Sequence, residues 1–162
     1  MSEDQRFKTM RHIETVRNYL GSAIRDLIIR AEQHDQSKLQ APEREIFDEY
    51  TPKLRGVTYG SDEYKQFMKE MNVAIDHHNS VNRHHPEHHG ANGIHGMTLL
   101  DLIEMLCDWK AATMRHADGD IMRSIEINQK RFGYSEELAQ IFKNTVEQDL
   151  ANWCVFHHAE ES

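Results

Sequence analysis

The chain has 162 residues, 38% of them apolar, which is enough for one domain with its own core. A formal charge of −8 argues against nonspecific binding to duplex nucleic acid, which needs clustered Lys and Arg, and leaves a small anionic substrate open only where a metal reverses the local field. With 8 Gly and 3 Pro there is little turn chemistry for a β-sandwich, and no run of 18 apolar residues is present to span a membrane.

The first twelve residues lack the apolar segment of a signal peptide. Cys107 and Cys154 are far apart and outside any C-x-x-C spacing, so both read as buried free thiols, and the expected location is cytoplasmic. In chain order, Phe7, Met10, Val16, Tyr19 and Leu20 predict a helix over about 4–19. Gly21-Ser22 predicts a break, with Ser22 capping a second helix over 23–33. Pro42 opens a third, to Tyr50, and 51–60 is loop. Ser61 caps a long helix to about His84, which Pro86 ends. Residues 87–96 form a glycine-containing loop. Met97 or Thr98 opens a helix to about His116, with Leu99, Leu102, Ile103 and Leu106 as its core stripe. Another helix covers 120–132. Ser135 caps the last, through Trp153, whose face of Leu138, Ile141, Phe142, Val146, Leu150 and Trp153 can pack on the domain or on a second copy as a homodimer. No segment reads as a strand. The expected fold is all-α, six to seven helices in a single domain over 1–162, with a motif-bearing core at 8–115 and C-terminal helices at 120–156.

The chemistry concentrates in His34-Asp35-Gln36-Ser37-Lys38 and in the run containing His77, His78, His84, His85, His88 and His89. Neutral imidazole nitrogen and carboxylate oxygen suit Mn, Fe, Ni or Zn. His12 and His34 are 22 residues apart, about 33 Å along a straight helix, so they share a metal only if the chain reverses at Gly21-Ser22. On a helix His78 shares a face with Asn82 and His85, and His77 with His84. Asp101, Glu104 and Asp108 share another, and Asp108 stands beside Trp109 in an apolar segment where a lone carboxylate is costly to bury.

Three motifs carry a family resemblance: His34-Asp35-Gln36-Ser37-Lys38, His78-Asn79-Ser80-Val81-Asn82-Arg83-His84-His85, and Glu104-Met105-Leu106-Cys107-Asp108-Trp109. Over about 8–115 the chain resembles the HD-domain metal-dependent phosphohydrolases, and more closely the small bacterial and phage proteins of the DUF5662 type. The resemblance implies an HD-like helical bundle in which His12, His34, Asp35 and Asp108 ligate one divalent transition metal. It further implies a second ion held by His78 and either His84 or His85, with Asp35 bridging. Metal-activated water would then hydrolyse a phosphoester, most naturally in a nucleotide. In that mechanism Asp35, Lys38 and Glu104 are catalytic candidates, with Glu104 as a general base or as the group that orients a histidine. Lys38, Asn82 and Arg83 are candidates for binding the phosphorylated substrate.

Blander readings stand beside these. Asp35 can be a helix cap, His88, His89, His95, His157 and His158 solvated, His116 a helix-end charge, and Glu43-Arg44-Glu45 a solvated face. A non-catalytic metal- or nucleotide-binding HD-like module is the alternative function, and a metal-sequestering bundle the third.

Overall fold

The structure, a computed structural model, describes residues 3–54, 57, 61–114 and 119–150. The described residues form seven α-helices and no strand, so the chain is all-α. They are α1 (Glu3–Gln33), α2 (Glu43–Leu54), α3 (Asp62–Glu70), α4 (Asn72–Val81), α5 (Leu99–Thr113), α6 (Ile121–Phe132) and α7 (Glu136–Thr145). Two 3-10 segments, Gln36–Leu39 and Pro86–Gly96, join the early helices, and a π turn, Val146–Leu150, extends α7. No helix among the described residues is long and apolar enough to cross a membrane. The chain divides into two units, 1–104 and 105–162, with α5 running through the junction.

In the first unit the expected break at Gly21-Ser22 does not occur. α1 continues through it for 31 residues. A single glycine costs a helix only about 1 kcal/mol relative to alanine. Ser22 returns its hydroxyl to the Asn18 carbonyl at 3.0 Å and accepts Arg25 at 3.0 Å, which keeps the helix running. The chain turns later, at Asp35, whose backbone is left-handed (φ 56°), a conformation aspartate tolerates better than most residues. Asp35 precedes the 36–39 segment, but its side chain makes no capping hydrogen bond.

The long helix expected over 61–84 is two helices. Ser61 does cap α3, accepting from Tyr64 N, but the chain departs from helix at the buried Met71 and α4 ends at Val81. Asn82 ends it by turning extended (φ −103°, ψ 113°) and donating its side-chain amide to the His78 carbonyl at 2.8 Å, a local substitute for the helical ladder. The expected loop at 87–96 is wound into 3-10 turns, with Gly90 and Gly93 at positive φ where the direction changes. α2 reaches Leu54, past its expected end at Tyr50. It packs on α4, α3 and the 36–39 segment.

α5 starts with a reciprocal cap: Thr98 N donates to Asp101 Oδ2 at 2.7 Å, and Asp101 N donates to Thr98 Oγ1 at 3.2 Å. The second unit is closed by apolar packing. Trp109 stacks on Phe132 and meets Phe142 edge-on, and Tyr134 meets Phe142 at 5.5 Å between ring centres. Asp120 caps α6, Gly133 ends it in the left-handed region, and Ser135 caps α7. Phe142, Val146 and Leu150 are buried in this unit, the first of the two expected uses of this face; Ile141 remains exposed. Trp153, Cys154, His116, His157 and His158 lie outside the described residues.

Candidate metal centre

The site belongs to the first unit and is assembled from three short stretches. The turn after α1 supplies His34 and Asp35, the end of α4 supplies His78, and the segment after it supplies His84 and His85. Nitrogen or oxygen atoms of Asp35, His78, His84 and His85 lie within 4.8 Å of one another. Asp35 Oδ1 is 3.3 Å from His78 Nε2 and 3.5 Å from His84 Nε2, and His85 Nε2 is 2.9 Å from His78 Nε2. Ligands on an ion at about 2.1 Å stand about 3.0 Å apart at right angles and about 3.4 Å apart in a tetrahedron. The three separations of 3.3, 3.5 and 2.9 Å are of that size.

Three of the imidazoles are oriented from behind. His78 Nδ1 donates to Glu43 Oε2 at 2.9 Å. His34 Nδ1 and His84 Nδ1 both reach Glu104 Oε1, at 3.0 and 3.1 Å. An ionised carboxylate only accepts, so the proton sits on Nδ1 and the Nε2 lone pair faces Asp35, the arrangement found at metal-bound histidines. Asp35 Oδ1 and His84 Nε2 are buried without a hydrogen-bond partner among the described residues. Two orphaned acceptors facing each other are costly in an apolar interior. A divalent cation satisfies both, and the donor set fits Mn, Fe, Ni or Zn.

The carboxylates are held ionised. Burial alone would raise the Asp35 carboxyl, but the hydrogen bond and charge of the Lys38 ammonium help to hold it well below the usual range. Lys38 Nζ sits 2.5 Å from Asp35 Oδ2, on the oxygen that faces away from His78 and His84. Glu104 is likewise depressed: burial opposes ionisation, and His34, His84 and Arg30 outweigh it. It is an acceptor that orients two rings. Behind it, fully buried Asp101 takes Arg30 at 2.8 Å and the Arg83 guanidinium through two bonds of 3.1 and 3.0 Å.

Several expected residues fall elsewhere. His12 is not brought to the centre, because uninterrupted α1 places it about 33 Å of helical rise from His34. Asp108, one turn beyond Glu104 on the continuous helix α5, is not among these displaced residues. Asn82 spends its amide on Ser37 Oγ and on the His78 carbonyl, each at 2.8 Å, bracing the centre instead of presenting itself to a substrate. Arg83 is anchored on Asp101 but half exposed. His77 donates to Glu43 at 2.7 Å, and His88 and His89 bond the backbone carbonyls of Ser80 and Arg83.

Glu43 is the residue the sequence misassigned. It stands first in α2 with its side chain fully buried, taking His77, His78 and Ser37. Arg30 was not singled out at all; the one available signal was a basic residue near the end of an amphipathic helix, four positions before His34. A pocket of about 370 Å³ opens beside the centre, lined by Arg30, Arg83, Asn82, His84, Glu104, Ile29, Val81, Asp26 and Gln33. His84 belongs to both the pocket lining and the centre, whereas Asp35, His78 and His85 do not line the pocket.

The model of a family of unknown function, DUF5662, matches residues 1–154. The chain belongs to the DUF5662 family. The match runs through α1–α7 of this DUF5662 protein. Comparison with curated proteins and with solved structures gives no match.

Proposed function

We propose that the protein is an HD-type metal-dependent phosphohydrolase acting on a nucleotide or related small phosphoester. The observation that carries the reading is the pair of buried, unpartnered acceptors, Asp35 Oδ1 and His84 Nε2, with His78 and His85 completing the set. A divalent ion held there lowers the pKa of water and neutralises phosphoryl oxygen charge. The protein's own groups supply the rest. Glu43 and Glu104 keep His78, His34 and His84 in the tautomer that offers Nε2. Lys38 holds Asp35 Oδ2, leaving Oδ1 directed at the centre, and its part-exposed ammonium is placed to take a phosphate oxygen. Arg83, fixed on one edge by Asp101, presents a second cation at the pocket.

The test is hydrolysis of p-nitrophenyl phosphate, its bis ester and nucleoside phosphates by protein loaded with Mn, Ni or Zn. The expected result is metal-dependent turnover, lost by at least about 1,000-fold in Asp35→Ala. Lys38→Ala is expected to cost about 10- to 100-fold with metal content retained. Loaded protein inert on every ester, or Asp35→Ala as active as wild type, would overturn the phosphohydrolase reading. A loaded but inert protein would point to a binding module.

A further inference from the structure

The pocket beside the centre is larger than a phosphate requires. At about 370 Å³ it lies in the range of small-molecule sites. One side is the end of α1, where Asp26, Ile29, Arg30 and Gln33 follow at spacings of three, one and three and so share a face of that helix. Val81 to His84, where α4 gives way to the next segment, line it as well. The lining is mixed. Ile29 and Val81 are half exposed, at 49% and 48%, and offer one aliphatic surface from each stretch. The side chains of Asp26 and Gln33 have no hydrogen-bond or ionic partner among the described residues. The arginines are already matched. Arg30 is held by Asp101 and Glu104, and Arg83 by Asp101, so two cations meet two carboxylates and Asp26 adds a third acid.

We propose that this pocket holds the nucleoside part of a nucleoside monophosphate whose phosphate sits at the metal centre. The inference rests on the phosphohydrolase reading for the place of that phosphate. Ile29 and Val81 suit the flat faces of a base, which a sugar or an inorganic phosphate lacks. Asp26 stands eight positions before His34, about 12 Å of helical rise, comparable with the reach of a nucleotide from its phosphorus to the far edge of its base. Its carboxylate only accepts, so it takes an amino or ring N–H of that base. Gln33, next to His34, both donates and accepts and is placed for the ribose hydroxyls. The charge balance limits the ligand to one phosphate. The exposed edge of Arg83 serves the phosphate at the ion, and no third cation among the described residues lines the pocket to neutralise a second.

The test is calorimetric binding to the manganese-loaded full chain. The ligands are methylphosphonate and an adenosine monophosphate analogue in which methylene replaces the ester oxygen, so neither can be hydrolysed. The nucleoside analogue is expected to bind at least about 10-fold more tightly. Methylenediphosphonate and the matching adenosine diphosphate analogue repeat the comparison with a second phosphate, and the gain from the nucleoside is expected to be smaller there. Asp26→Ala and Ile29→Trp, both at exposed positions, are expected to weaken the monophosphate analogue about 10-fold, with bound metal and methylphosphonate affinity as in wild type. No gain from the nucleoside, an equal gain in the diphosphate pair, or variants that bind the analogue like wild type would each overturn the inference. The phosphohydrolase reading fails separately. Nucleotides that bind in this way but are never hydrolysed would overturn that reading and support the pocket assignment, whereas turnover of p-nitrophenyl phosphate with no gain from the nucleoside would do the reverse.

Discussion

The two units bury different chemistry. Among the described residues of 105–162 the buried side chains are Met105, Leu106, Ile121, Ile125, Tyr134, Ala139, Phe142, Val146 and Leu150, with one polar group, the Tyr134 hydroxyl, donating to the Ile125 carbonyl at 2.6 Å. Among those of 1–104 the buried apolar side chains are few (Met71, Ala74, Pro86 and Ile94), and Glu43, His78, His84 and Asp101 stand among them. Apolar burial stabilises directly, whereas buried charge stabilises only when each group finds its partner. The second unit is therefore built as a core, and the first as a support for a site. Its structure depends on completing a network that still lacks a partner for Asp35 Oδ1 and His84 Nε2.

That contrast can be broken from either side. Asp101→Ala leaves Arg30 with Glu104 alone and Arg83 without its carboxylate, and is expected to cost about 3 kcal/mol in urea denaturation, with weakened metal retention because Glu104 loses a neighbour that fixes Arg30. Phe142→Ala removes an aromatic from the second unit at a comparable cost, about 3 to 5 kcal/mol, but leaves bound metal per folded chain unchanged. Equal metal loss in both variants would erase the distinction.

pH sharpens it. Asp35, Glu43, Asp101 and Glu104 all have folded pKa values below their ordinary ones. Their contribution is present above about pH 4 and is lost as pH falls through the folded values. Tyr134 goes the other way. Burial raises its phenol, so its contribution is complete below about pH 10 and is lost as pH rises past the unfolded value. Amide exchange followed by residue is expected to show 1–104 opening first in acid and the neighbourhood of Tyr134 opening first in strong alkali. The reverse order would contradict the assignment of the two cores. The smallest expected effect comes from His88→Ala, which removes one bond to the Ser80 carbonyl, about 1 kcal/mol, without changing metal content.

Much of the second unit was legible because its signals are local. Asp120, Gly133 and Ser135 punctuate the helices, and the apolar spacing of α7 names Phe142, Val146 and Leu150 as inward. The first unit was legible in its residue types, less so in its roles. His34-Asp35 and His78 to His85 do converge, but density of histidine could not separate His84, aimed at Asp35, from His88, aimed at a backbone carbonyl. Glu43 was hidden because an acidic residue in a charged run looks solvated until its histidines arrive from 34 and 35 positions away. The supposed break at Gly21 failed for the opposite reason. A turn signal without a competing partner leaves the helix intact, and His12 went with it.

The most direct measurement is transition metal bound per chain, by elemental analysis after loading and desalting, in wild type, His84→Ala and His88→Ala. The account predicts about one ion or more per chain in wild type and His88→Ala, and a near-complete loss in His84→Ala. Metal equal in all three, or absent from wild type after loading, would contradict a metal centre at Asp35, His78, His84 and His85.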